Sequence, residues 1–300
     1  MIVREVILAV DLGATKFVAG LVDETGTALF KRRVTVDHSR DRDGLWKQLH
    51  RLVSVVQVEA AARELRVVGC GVGCAGPITA NAETVSPLNL SAWREFPLAS
   101  RLSELVGVIV GGDLDTKALA LGEGWRGAAR EWDNYLAMVV STGIGGGLVV
   151  DGRLLEGNTG NAGHLGHIVV VPGGRRCGCG TSGCLEAEAS GSAIEAITGR
   201  PASEANQAMK EQCGRLVGRG LSMVMTLLDL DRALVAGSVA LGFGSAFFAS
   251  AQAELDASCR SLGHGRRPVI RPAGLGKDAP LIGAAAVGWR TLGRLGRESE

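Results

Sequence analysis

Cys177, Cys179 and Cys184 fall within one glycine-rich stretch, just downstream of Gly163-His164-Leu165-Gly166-His167. Thiolates and imidazoles are zinc ligands, and a Cys3His set is closed and tetrahedral, with no open position for catalysis. The chemistry it offers is scaffolding. An ion there cross-links a loop too rich in glycine to hold itself by apolar burial, and it fixes the neighbouring His164 and Glu186. Free thiols at this density on an exposed loop would oxidise readily.

Two further glycine and hydroxyl clusters invite phosphate. Asp11-Leu12-Gly13-Ala14-Thr15-Lys16 puts a carboxylate, a glycine and a hydroxyl in a turn between apolar runs. Its backbone N–H groups and Thr15 can cradle a phosphate while Asp11 holds Mg2+ or a water. By itself it reads equally well as a hairpin turn in which Gly13 supplies a positive φ. A second turn, Ser141-Thr142-Gly143-Ile144-Gly145-Gly146-Gly147, tips the balance, since two such turns facing one another can clamp a nucleotide tail. Gly237, in Val235-Ala236-Gly237-Ser238, ends a strand before a helix as a nucleoside-contacting turn would, a weak signal because strand-to-helix glycines are common.

The last candidate is Val110-Gly111-Gly112-Asp113-Leu114-Asp115, a strand end with two carboxylates ahead of a helix. A carboxylate there can take the proton of a hydroxyl as it attacks a γ-phosphoryl group. Asp115 has a competing role as the helix N-cap, so Asp113 is the base expected from the sequence.

The elements that position these residues alternate. Val6 to Val10, Phe17 to Val22 and Thr27 to Val34 read as an antiparallel meander, and the Tyr135 to Val150 region repeats that grammar about 130 residues later. Leu45–Leu65, Asp115–Gly122, Asn206–Asp229 and Gly242–Leu262 read as helices, with Leu216, Gly220, Met223 and Leu227 forming one apolar stripe. Short apolar runs at Val67-Val68, Val108–Val110 and Leu234–Ala236 complete an α/β plan with mixed sheets. The expected domains are 1–113 and 114–280, with a last helix in 281–300 packing back on the first and a ligand cleft between the two.

Composition narrows the function. The 300 residues are 46% hydrophobic and 21% charged with a formal net charge of +1, a globular balance without the basic footprint of a nucleic-acid or membrane binder. Small molecules are the expected partners. The apolar run before Asp11 is too short for a signal or membrane segment, and the cysteine pattern fits metal ligation better than disulfides, so the cytoplasm is the expected compartment. Cys70, Cys74, Cys213 and Cys259 read as small core hydrophobes.

In order, D-x-G-x-T-K from Asp11, S-T-G-x-G-G-G from Ser141 and above all G-H-x9-C-x-C-G-x2-G-C-x-E from Gly166 to Glu186 resemble the ROK family of bacterial sugar kinases and sugar-responsive repressors. The resemblance runs from Asp11 to Leu281–Ala285 and implies an actin-like (ribonuclease H-like) two-domain fold and Mg2+-ATP-dependent phosphorylation of a hexose, at the 6-OH in a glucokinase. It implies Asp113 as base and Asp11, Gly13, Thr15, Lys16, Thr142, Gly143 and Gly237 at the nucleotide. Zinc falls to His167, Cys177, Cys179 and Cys184, and the sugar to Asn89, Asp113, His164, His167 and Glu186. A homodimer or higher homo-oligomer is implied as well.

Two departures bear on the substrate. Gly112 stands where family glucokinases carry Asn before the base, and His164 stands where they carry Glu, as in N-acetylmannosamine kinases. A neutral imidazole offers one donor and one acceptor where a carboxylate only accepts, so an N-acyl hexosamine is an alternative substrate. Polyphosphate is an alternative donor, since it can use the same turns. A catalytically weak sugar-binding regulator is a further alternative. A DNA-binding repressor is not expected, because family repressors place a helix-turn-helix ahead of the first turn and only ten residues precede Asp11 here.

Overall fold

A computed structural model of the chain describes residues 3–259 and 267–295. They form two compact units, one from residues up to 131 with 156–162 and 275 onward, the other from 132–155 and 163–274.

In the first unit β1 (Glu5–Leu12), β2 (Lys16–Asp23) and β3 (Ala28–Thr35) make an antiparallel meander. α1 (Arg42–Ala62) then leads to β4 (Arg66–Cys74), α2 (Leu98–Val106) to β5 (Val110–Leu114), and α3 (Asp115–Arg126) follows directly. The sheet order is β3-β2-β1-β4-β5, with β4 parallel to β1 and β5 parallel to β4. β1 is apolar from Val6 to Val10 because the sheet is covered on both faces. Val6, Leu8, Val10 and Leu12 join Leu45, Leu49, Val53 and Val56 of α1, which recur at helical spacing. Asp41 caps that helix, accepting from the N–H of Gly44 at 2.7 Å. Ile7 and Ala9 point to the other face.

The second unit opens with β6 (Tyr135–Val140), β7 (Ile144–Val150) and the short β8 (Arg153–Leu154). α4 (Leu185–Ala189), α5 (Gly191–Thr198) and α6 (Gln207–Leu228) follow, then β9 (Arg232–Ala236), α7 (Ser238–Phe243), α8 (Ser245–Ser258) and β10 (Val269–Pro272). Its order, β10-β9-β6-β7-β8, repeats the first sheet strand for strand, with β6 to β10 standing for β1 to β5. Both sheets pair three strands antiparallel and add two in parallel. The last helix, α9 (Ala279–Thr291), belongs to the first unit, where Leu281, Ala284, Ala285 and Trp289 cover Ile7, Ala9 and Val22.

Several expectations need adjusting. The division falls after Glu131 instead of near Asp113, because α3 packs along α9 and stays with the first sheet. Segment 156–162 also belongs to the first unit although its sequence neighbours belong to the second. In α6 the inward stripe holds Leu216, Val217, Gly220, Leu221 and Val224, while Met223 and Leu227 are exposed. The helix expected over Gly242–Leu262 is broken at Gly244, whose φ of +59° ends α7, and residues 260–262 lie outside the described residues. So do 1–2 and 296–300, at the ends of the two segments expected to form the first domain. Among the described residues no helix is long and apolar enough to cross a membrane.

Candidate active site and metal centre

The first glycine turn joins β1 to β2. It is closed by the N–H of Gly13 donating to the carbonyl of Lys16 at 3.1 Å, and the carbonyl of Thr15 accepts from Val36 at 2.9 Å. Asp11, at the end of β1, is paired in register with Gly73 of β4 and is 7% exposed. A Cβ on Gly73 would lie 3.8 Å from Asp11 Oδ1 and 3.6 Å from the Cα of Asp115, so both acids overlook one spot. Burial and the Asp115 carboxylate raise the Asp11 pKa to about 7 against the pull of Lys16. Burial raises Asp115 too, opposed by the N–H of Thr116, which donates to its Oδ1 at 2.8 Å. The same two carboxylates, after burial, hold the neighbouring Cys74 thiol well above its ordinary pKa.

Asp113 is placed differently. It is 3% exposed, and its carboxylate meets Lys117 Nζ at 3.0 Å and Arg290 at 2.6 Å. Lys117, fully buried, also pairs with Glu156 and donates to the carbonyl of Gly160 at 2.9 Å. Arg290 reaches Glu156 at 2.9 Å, closing a four-charge network that fastens segment 156–162 to α3 and α9. Asn161 adds two bonds to the backbone of Ile78. Asp113 thus lies on the β5 face that meets α9, and both its oxygens are engaged by cations.

The glycine at 112 has a packing reason. A Cβ there would come within 2.4 Å of the Ala82 Cβ and 2.9 Å of the Asn81 carbonyl, so the residue is small because the chain crosses it closely. The packing of Ala82 and Asn81 thus accounts for the departure at 112. The residue just before Asp115 is Leu114, buried in the first unit's core and without a polar group. Asn89 is exposed on a loop held by Trp93, which stacks on Phe96 at 4.3 Å, and by Arg94, which donates to the carbonyls of Pro87 and Trp93.

In the second unit the turn from β6 to β7 is held from several sides. The N–H of Ser141 donates to the carbonyl of Gly143 at 2.9 Å; Gly191 and Ser192 donate to the carbonyls of Ser141 and Thr142 at 2.7 and 3.2 Å. Ser141 and Ser238 share a hydroxyl bond of 3.0 Å. Glu186 Oε2 accepts from the N–H of Ile144 at 2.8 Å, and a Cβ on Gly143 would lie 2.7 Å from that same oxygen. Gly237 adopts φ +100° with no room for a side chain, its Cβ position being 2.2 Å from the Val140 carbonyl.

His167, Cys177, Cys179 and Cys184 bring their ligand atoms within 4.8 Å of one another. Cys177 Sγ is 3.6 Å from His167 Nδ1, and Cys179 Sγ is 3.6 Å from Cys184 Sγ. Both separations suit the edges of a tetrahedron whose centre lies about 2.3 Å from each sulfur, and the sulfur gap is far too long for a disulfide. A bond from the Thr181 N–H holds Cys179 down at about 7, while burial and the neighbouring sulfurs push Cys184 up to about 12. Such a set binds a cation with release of protons. His164 lies outside it, partly exposed, its ring 5.8 Å from that of His167 and its pKa lowered by partial desolvation and by that neighbour.

Sequence reading passed over Asp115 as a cap and did not find the Lys117–Glu156–Arg290 network. Strand alternation gives no signal for the first, since Asp113 and Asp115 are two residues apart; what separates them is the pairing of Asp113 with Lys117 and Arg290.

Known proteins align with this arrangement. A glucokinase of Thermotoga maritima is 40% identical over 190 residues, 63% of this chain and 58% of that protein, so the match spans less than two thirds of its length. An N-acetylmannosamine kinase of Citrobacter koseri is 34% identical over 252 residues, 79% of this chain and 84% of its own. A ROK family glucokinase from Streptomyces griseus, solved with glucose and AMPPNP, superposes with a TM-score of 0.79 at 27% identity over 95% of this chain and 99% of its own. The shared architecture is the actin-like α/β fold. With the family's sequence pattern matched over residues 7–290, the chain belongs to the ROK family.

Proposed function

We propose that this protein is an ATP-dependent sugar kinase that moves the γ-phosphoryl group of ATP to a hexose hydroxyl, with Asp115 as the general base. The observation that carries this reading is the pairing of Asp115 with Asp11 at the mouth of the first glycine turn, where Asp113 is instead tied to Lys117 and Arg290. Phosphoryl transfer asks the protein for positioning and charge stabilisation, and for a carboxylate that accepts the hydroxyl proton. The Asp115 carboxylate is held by backbone N–H groups in place of the cations that engage Asp113, and its raised pKa makes it a better proton acceptor than an ordinary carboxylate.

Asp11 fits Mg2+, which neutralises phosphate charge when bound; a buried acid beside a second acid is relieved by a cation. The N–H groups at Gly13 and Gly143, the hydroxyls of Thr15 and Thr142 and the Lys16 ammonium would hold the phosphate tail, with Gly237 beside the nucleoside. Asn89, His164, His167 and Glu186 are the proposed sugar contacts. The Cys3His set fits a structural zinc. ATP and reduced thiols both suit the cytoplasm, and homodimerisation stays part of this reading through the family resemblance.

An N-acyl hexosamine is the second reading of the substrate. It is favoured by His164, kept neutral by partial desolvation and by His167, which pairs a hydroxyl or amide as donor and acceptor at once. The regulator reading loses its motive, because Gly112 is set by Ala82 and Asn81. A coupled ADP-release assay with Mg-ATP over glucose, mannose, N-acetylglucosamine and N-acetylmannosamine tests the proposal. Turnover on at least one sugar is expected; none on any, with sugar binding still measurable by calorimetry, would overturn the kinase reading.

A further inference from the structure

The short helix α4 touches the metal cluster at one end and the second glycine turn at the other. Cys184, a member of the cluster, immediately precedes it. Leu185, fully buried, donates its N–H to the carbonyl of Ile168 at 2.9 Å, next to the cluster's His167. Glu188 holds the cysteine loop, accepting from the N–H of Arg175 at 2.6 Å and pairing with its guanidinium. Glu186, on the same turn of helix, reaches the glycine turn through the N–H of Ile144. Just beyond α4, Gly191 and Ser192 donate to Ser141 and Thr142 of that turn. The turn lacks an acid of its own, and the carboxylate against it comes from α4.

We propose that Glu186 is a positioning residue for the nucleotide turn, and that cation occupancy of the Cys3His set reaches the turn through α4 and this side chain. With the cluster closed, Cys184 fixes the start of α4, and the Glu186 oxygen stands where it pins the Ile144 N–H. Without the ion, the start of α4 keeps the buried Leu185 and its bond to Ile168 but loses the tie through Cys184, and the bond to Ile144 weakens with it. The role is distinct from a sugar contact, because it acts on the nucleotide turn and is present with no sugar bound. It rests on the kinase reading only for the identity of the ligand that the turn holds.

The test uses the full chain, metal-loaded and chelator-treated, as wild type, Glu186→Leu and Glu186→Gln. Two readouts are followed: hydrogen exchange of peptides spanning 141–147, and the affinity for Mg-AMPPNP by calorimetry. Removing the metal is expected to speed exchange of those peptides and to weaken AMPPNP by about tenfold, the worth of one charge-assisted bond. Glu186→Leu, still loaded, should show the same change, and chelation of that variant should add less than twofold. Glu186→Gln keeps an accepting oxygen and should behave as wild type at the turn. Metal loss that leaves 141–147 protected would overturn the coupling. So would a loaded Glu186→Leu variant with wild-type exchange, the behaviour of a residue that serves the sugar alone. If wild type binds no AMPPNP the kinase reading fails, while the exchange experiment still decides the coupling.

Discussion

The two sheets share one strand order, yet their glycine turns are equipped in opposite ways. In the first unit the acids are local: Asp11, near the end of β1, is in register with Gly73, and Asp115, the first residue after β5, has its Cα 3.6 Å from where a Gly73 Cβ would stand. In the second unit the turn at Ser141–Gly143 has no acid, and its carboxylate arrives as Glu186 on a helix beside a cysteine cluster. The difference teaches how a duplicated scaffold divides labour. A turn backed by central strands and their core needs no staple. A turn that depends on a loop of Cys-Gly-Cys-Gly-Thr-Ser-Gly-Cys needs one, because such a loop buries too little apolar surface to stay in place.

The comparison can be broken or sharpened by substitution. The largest effect should fall on Asp115: Asp115→Asn is expected to lower kcat by about 10³ or more, roughly 4 kcal/mol of barrier, with Mg-AMPPNP affinity within about threefold of wild type by calorimetry. Next comes Cys179→Ala, which should lose the bound metal and on the order of 3 kcal/mol. Exchange should rise in the second unit while strands β1 to β5 keep their protection. Metal analysis and hydrogen exchange check both halves, and equal loosening in the two units would erase the contrast drawn above.

Asp11 supplies a pH test confined to the first unit. Its folded pKa is raised from 3.8 to about 7, so its ionisation in the fold is unfavourable, and the stability it contributes falls as pH rises from about 4 to about 7. Asp11→Asn removes that dependence. It should be more stable than wild type at pH 8 by on the order of 2–4 kcal/mol, and indistinguishable near pH 4, as read from melting midpoints at the two pH values. Asp113→Asn should be smallest in rate and clear in stability. It leaves Lys117 and Arg290 short of one anion and should destabilise by about 2 kcal/mol in denaturant titrations.

Much of this was legible in the sequence because it is carried by short-range pattern. The meanders around Asp11 and Ser141 announce themselves by apolar runs broken at glycine, and the Cys3His spacing needs no tertiary knowledge to suggest a metal. What stayed hidden depends on contacts between distant segments. Asp113 and Asp115 are two residues apart and chemically alike; only the packing of α9, which brings Arg290 to Asp113, separates them. Gly112 looked like a missing side chain until Ala82 and Asn81 showed that nothing larger fits. The assignment of 156–162 to the first unit likewise rests on Lys117, Arg290 and Ile78, none of them near it in sequence.

The central claim is that Asp115, and not Asp113, takes the hydroxyl proton. Its most direct test is a side-by-side measurement of kcat for Asp115→Asn and Asp113→Asn on the sugar that wild type turns over best, at a temperature where melting curves show both folded. The account predicts a loss of about 10³ or more for Asp115→Asn and less than about tenfold for Asp113→Asn. A variant of Asp115 that keeps near-wild-type turnover while Asp113→Asn is silent would contradict it.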